Sequence, residues 1–130
     1  MKKRPLSPHI SIYRIQITSL LSILHRATGI ALYGGILLWV IWLLALANGE
    51  ESYKSMQTFL LHPIGLICLL GFSLSFFYHF TNGIRHLLWD IGYGYDMASV
   101  RQGGWFVIFF TLTLTFFTWG LGKLWGMIWS

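Results

Sequence analysis

The sequence predicts an all-α membrane protein with three transmembrane helices and its N-terminus on the cytoplasmic (matrix-equivalent) side. Three observations point there. Hydrophobic residues make up 55% of the chain and charged residues only 10%, against about 25% charged in a water-soluble domain. The chain therefore lacks the polar surface to cover itself in water. Three apolar runs are each long enough to cross a hydrocarbon core of about 30 Å. Finally, the bases gather outside those runs, which sets a direction across the bilayer.

Length fits a single membrane-anchor domain over residues 1–130, with an interfacial N-terminal segment at 1–17 and spans near 19–47, 63–89 and 105–129. The lead segment mixes Ile10, Ile12, Ile15 and Ile17 with Ser11, Tyr13, Arg14 and Gln16, a pattern suited to an interface or a soluble partner. Pro5 and Pro8 interrupt the place where a cleavable signal needs an apolar core. Thr18 or Ser19 can cap the first helix, and Thr28–Ala47 then runs without a charge. Asn48-Gly49 ends it. A connection over 48–61 carries Glu50, Glu51 and Lys54. Pro63 fits the first turn of the second helix, which Gly92-Tyr-Gly94 breaks. Gly103-Gly104 precede the third run, flanked by Trp105, Trp125 and Trp129 as interfacial anchors, with Lys123 able to snorkel. The single Cys68 reads as a packing residue.

The net charge is +5. With the bases outside the apolar runs, this reads as orientation in lipid rather than contact with nucleic acid. The N-terminal segment through Arg26 holds five Lys and Arg and the 85–104 connection two, against one in 48–61 and Lys123 near the end. The excess places the start of the first helix and the end of the second on one side of the membrane.

Two polar clusters then face the same leaflet: Ser22-Ile-Leu-His25-Arg26 and His79-Phe-Thr-Asn-Gly83-Ile-Arg85-His86-Leu-Leu-Trp-Asp90. At the helical period, His79, Gly83, His86 and Asp90 fall within about 60° of one another, and Gly83 leaves a hollow where a flat ligand can approach the backbone. His79 lies about 9 Å deeper than Arg85. Ser22 and Arg26, four apart, share a face.

A neutral imidazole held in lipid can serve as an axial ligand to haem iron, and His25, Arg26, Arg85 and His86 could meet haem propionates. The plainer readings stand beside this. His79 could equally hydrogen-bond a neighbouring helix, Arg26 and Arg85 could be positive-side anchors, and Asp90 could simply neutralise Arg85. His9 reads as solvated, and His62 as interfacial at the opposite end.

The motifs carry a resemblance. Arg4-Pro-Leu-Ser-Pro-His9-Ile10, Ser22-x-x-His25-Arg26-x-Thr28 and His79-x-x-x-Gly83-Ile84-Arg85-His86-Leu87-x-Trp89-Asp90-x-Gly92 resemble the cytochrome b-type large membrane anchor of succinate dehydrogenase (respiratory complex II). The resemblance implies three transmembrane helices paired with a second small membrane anchor subunit. It implies a haem b between the two, with one axial histidine from each. His79 matches that ligand, and His25, Arg26, Arg85 and His86 match its environment. Ser22 and Arg26 match the ubiquinone site, with Gly83 and Asp90 at the site edge. Electrons then reach ubiquinone from a flavoprotein subunit through an iron–sulfur subunit, and this chain contributes haem ligation, part of the quinone pocket and attachment to membrane lipid. It has no dinucleotide fingerprint and no cysteine cluster, so it cannot oxidise succinate alone. The implied location is a bacterial inner membrane, or the mitochondrial inner membrane for an organellar protein. Two alternatives remain: a cofactor-free structural anchor, in which the histidine stripe is packing, and a quinol-oxidising cytochrome b of a fumarate reductase-type complex. A stand-alone dihaem form would need four buried ligands, and only His79 is deep, with His86 borderline.

Overall fold

The computed structural model describes residues 16–129. The interfacial reading of residues 1–15, with the Arg4–Ile10 motif and His9, lies outside the described residues, as do the side chains of Trp125 and Trp129. Four helices follow in order: α1 (Ile17–Ala47), α2 (Glu50–Leu61), α3 (Pro63–Asp90) and α4 (Met97–Trp129). Three of them, α1, α3 and α4 through Lys123, are long and apolar enough to cross a membrane. At 31 residues, α1 extends about 46 Å, well beyond the hydrocarbon thickness. The helix therefore leaves its polar first turns at the bilayer edge.

The helix boundaries carry three differences from the sequence expectation. Gln16, in extended conformation, precedes α1, which begins before Thr18. The 48–61 connection folds as α2, a twelve-residue helix that opens with Glu50 and Glu51, where carboxylates favour a helix N-terminus. Its Tyr53 ring meets Trp42 of α1 edge-on at 6.2 Å. The third span starts at Met97 rather than at Trp105, because Asp96 accepts the Ser99 amide at 2.9 Å and nucleates the helix ahead of Gly103-Gly104. Those glycines stay helical by close packing: Leu21 and Ile17 of α1 press on Gly104, and Arg85 presses on Gly103.

At the second span the expectation and the structure meet. His62 accepts the Ile64 amide at 3.3 Å through its side chain, Pro63 occupies the first turn, and the chain leaves α3 through Gly92 at φ 90°, a conformation suited to glycine.

α3 is the central helix, packed against both α1 and α4. Its contacts make a small core of Leu21, Tyr78 and Val107 with Ile17 and Ile108 alongside. Most large apolar side chains instead face outward, Ile30, Phe109 and Phe116 each at least 70% exposed. That distribution is inverted relative to a water-soluble fold and suits a lipid solvent.

Candidate functional site

The two polar clusters come together at the end of the bundle where α1 starts and α3 finishes. The His25 ring of α1 stacks on the His79 ring of α3, centroids 4.0 Å apart and planes within 8°. His86 lies beside His25 at 5.2 Å, tilted by 45°. The stripe of His79, Gly83 and His86 is thus the face that α3 turns toward His25. The hollow at Gly83 is covered by His25, whose Cε1 would lie 4.0 Å from a Cβ placed there. Gly29 of α1 is the tighter case, since a Cβ there would come within 3.3 Å of His79 Cε1.

Hydrogen bonding fixes the tautomer of His79. Its Nδ1 lies 3.1 Å from the carbonyl oxygen of His25. A carbonyl can only accept, so Nδ1 carries the proton and donates it. Thr28 Oγ1 sits 3.3 Å from the same nitrogen while donating to the Leu24 carbonyl at 2.8 Å, and so offers Nδ1–H a second acceptor. Nε2 then holds its lone pair in the ring plane and has no partner among the described residues. A ligating histidine generally has this arrangement, its second nitrogen tied to a backbone carbonyl. Stacking by His25 covers the ring face and leaves the edge open. His25 Nδ1 is itself buried without a hydrogen-bond partner among the described residues, an unmet polar atom beside the free edge.

The fit to a haem is therefore favourable in three respects: one correctly tautomerised imidazole, one unsatisfied polar atom nearby, and bases on the same end of the bundle. Ser22 and Arg26 are exposed on α1, and neither side chain hydrogen-bonds another described residue. Asp90 is exposed at the end of the stripe.

Arg85 is not brought to the histidines. It is 8% exposed and turned toward α4, donating to the Val100 carbonyl at 2.9 Å and to Asn82 Oδ1 at 3.4 Å. Its guanidinium lies 4.1 Å from the centroid of the Trp89 ring. The reading in which Asp90 neutralises Arg85 is not borne out: among the described residues the ion pair is Lys54–Glu50, at 2.6 Å. Asp90 sits about 140° round the helix from Arg85, too far to reach its buried face.

A second polar stripe went unread in the sequence. Tyr78, Asn82, Arg85 and Trp89 also fall within about 60° of each other, roughly 100° round α3 from the histidines. The Tyr78 hydroxyl donates to the Leu21 carbonyl at 2.7 Å, fully inside, and Asn82 is 0% exposed. The signal was present as an i, i+4, i+7, i+11 spacing. The ionisable groups of the neighbouring stripe masked it. Trp89 joins the two faces, its ring centroid 5.0 Å from that of His86 with the planes nearly perpendicular and its indole N–H donating to the Gly94 carbonyl at 3.2 Å.

Comparisons with known proteins place the chain in a family. Residues 1–118 match the family described as succinate dehydrogenase/fumarate reductase transmembrane subunit. The chain is 44% identical over 117 residues to the succinate dehydrogenase cytochrome b556 subunit of Rickettsia felis, covering 90% of this chain and 91% of that one. It is 45% identical over the same length to the corresponding Rickettsia prowazekii subunit, with the same coverage. It is 42% identical over 111 residues to the human mitochondrial succinate dehydrogenase cytochrome b560 subunit, covering 84% of this chain and 66% of that one.

Proposed function

Because this chain belongs to the succinate dehydrogenase/fumarate reductase transmembrane subunit family, we propose that it binds a haem b jointly with a second membrane anchor and forms part of a ubiquinone-reduction site. The observation that carries this is the His79 tautomer: Nδ1–H held by the His25 carbonyl leaves Nε2 as a ready axial ligand. The haem supplies a one-electron store beside the quinone site.

In this reading the residues divide the work. His79 would hold the iron. His25 fixes the orientation of the His79 ring by stacking on it and, with Arg26 and His86, offers N–H donors to the propionates. Arg85, on the far face, bears on that environment through Trp89, whose ring packs perpendicular to His86. Gly83 and Asp90 form the edge of the site. Ser22 donates a hydroxyl hydrogen bond to a quinone carbonyl. Arg26, one turn along the same face, favours the charge that builds on that oxygen during reduction. The His79 end of the bundle faces the cytoplasm of a bacterial inner membrane, where flavoprotein and iron–sulfur subunits dock and deliver electrons.

Two measurements on the purified complex test it. A reduced-minus-oxidised spectrum shows a b-type band that His79→Ala abolishes, and an unchanged band removes the ligand assignment. Ser22→Ala and Arg26→Leu lower ubiquinone reduction while succinate oxidation by a soluble artificial acceptor persists, and equal loss of both activities would instead mark an assembly defect.

A further inference from the structure

The turn between α3 and α4 holds four large apolar side chains away from the bundle. Ile91 is 68%, Tyr93 70%, Tyr95 64% and Met97 77% exposed. They do not stand in hydrocarbon. At 28 residues, α3 extends about 42 Å against a hydrocarbon core of about 30 Å. Its first turn, from Pro63 to Ile67, is apolar, and its last turns carry Arg85, His86 and Asp90. The excess length therefore falls at the Asp90 end, and the turn projects past the oil.

Its shape is fixed by hydrogen bonds. Gly92 N–H donates to the Trp89 carbonyl at 2.8 Å and Tyr93 N–H to the Leu88 carbonyl at 2.9 Å. The Trp89 indole donates to the Gly94 carbonyl and stacks on Tyr95, centroids 6.4 Å apart. Asp96 then caps α4. A patch ordered in advance loses little conformational freedom when it is covered.

Its charge separates it from the rest of this side of the membrane. Residues 1–26 hold five Lys and Arg, yet none lies between Arg85 and Arg101. Asp90 and Asp96 instead bracket the turn, both exposed and neither in an ion pair among the described residues. An anionic leaflet repels such a pair of carboxylates, and the turn has no base to draw headgroups toward it. Exposed Tyr and Met without Lys match the composition of a protein interface.

We infer that this turn is a docking knob for a water-soluble protein subunit, received in an apolar recess rimmed by basic groups that face Asp90 and Asp96. Resting on the functional reading above, that subunit is the iron–sulfur protein, which approaches this end of the bundle to deliver electrons. Rigid apolar side chains supply the contact, and the two carboxylates set which surface is accepted.

The test uses the whole complex in native membranes. A photoreactive residue is placed by Tyr93→p-benzoylphenylalanine or Met97→p-benzoylphenylalanine, with Phe116→p-benzoylphenylalanine on the outward face of α4 as control. Irradiation yields a covalent product with the iron–sulfur subunit from positions 93 and 97 and none from 116. Products with lipid alone, or with the second anchor alone, overturn the inference. Stripped membranes carrying Tyr93→Ser together with Met97→Ser rebind the purified soluble subunits about tenfold more weakly, with the b-type band unaltered. Unchanged affinity likewise overturns it. Soluble subunits missing from the unaltered complex would instead remove the functional reading on which this rests.

Discussion

The two polar faces of α3 use the same helix for opposite ends. On one face His79 and His86 meet His25 in a loose stack of rings, with a lone pair and an unmet nitrogen left over. On the other, Tyr78, Asn82 and Arg85 are driven into the packing and tied to the backbone of α1 and α4. The first face keeps its chemistry available. The second spends its hydrogen bonds on holding three helices together where lipid gives no hydrophobic drive for association. Burial separates the two: Tyr78, Asn82 and Arg85 are below 9% exposed, and His25, His79 and His86 are not. In a membrane, the polar groups that pack best are those that stabilise, and the partly open ones are those left for ligands.

The sharpest way to break this division is to cross it. Arg85→Met removes two charge-assisted hydrogen bonds and a cation–π contact, at about 3 kcal/mol. The expected outcome is a clear fall in Tm of the purified complex, while the b-type band per assembled complex keeps its intensity and at most shifts slightly in position, since Arg85 reaches the histidines only through Trp89. A band lost in step with Arg85 would merge the two faces into one.

Gly29→Val acts from the other side. Its side chain would press on His79 Cε1, against which even a Cβ stands at 3.3 Å. The ring must tilt, weakening the bond from Nδ1 to the His25 carbonyl. Disturbing such an outer partner costs roughly 10–100-fold in metal affinity, so haem content falls several-fold while stability changes by no more than about 1 kcal/mol. Tyr78→Phe is milder. It deletes one buried hydrogen bond, worth about 1 kcal/mol, seen as a small Tm decrease with an unchanged spectrum.

What the sequence made legible follows from these contrasts. Three spans and the convergence of the Ser22–Arg26 and His79–Asp90 clusters at one end of the bundle were readable, because apolar length and the antiparallel run of adjacent helices survive any packing; that His25 is the residue stacked on His79 was not. The histidine stripe was readable because ionisable residues in oil are conspicuous. Arg85 was legible as a base near the histidines but not by its direction: it lies about 100° round the helix from His86, and its bond to the Val100 carbonyl of α4 depends on a packing partner that the sequence does not name. α2 was hidden because its twelve residues carry the charges and short length of a loop. The Gly104, Val107, Thr111 and Thr115 stripe of α4, buried throughout, was obscured by the more prominent phenylalanines around it, several of which face lipid.

The smallest effect concerns the connection that closes the buried face. Asp96 is fully exposed, and its carboxyl is held below the usual carboxylate range by hydrogen bonds it accepts from Ser99, first from the hydroxyl and then from the backbone N–H. The bond from the Ser99 amide, at 2.9 Å, starts α4 one turn ahead of Val100, whose carbonyl receives Arg85. A group whose folded pKa is depressed stabilises above its unfolded value, about 3.9 for aspartate, and that contribution disappears as pH falls through the folded value. Protection of the Ser99 amide against hydrogen exchange, corrected for intrinsic rate, should hold steady near neutrality and decline only in acid below about pH 4. Asp96→Ala should be less protected at neutral pH and lack the acid step. If both proteins titrate alike, the start of α4 is fixed by the Arg85 contact alone, and the arginine face extends one turn further than its own helix.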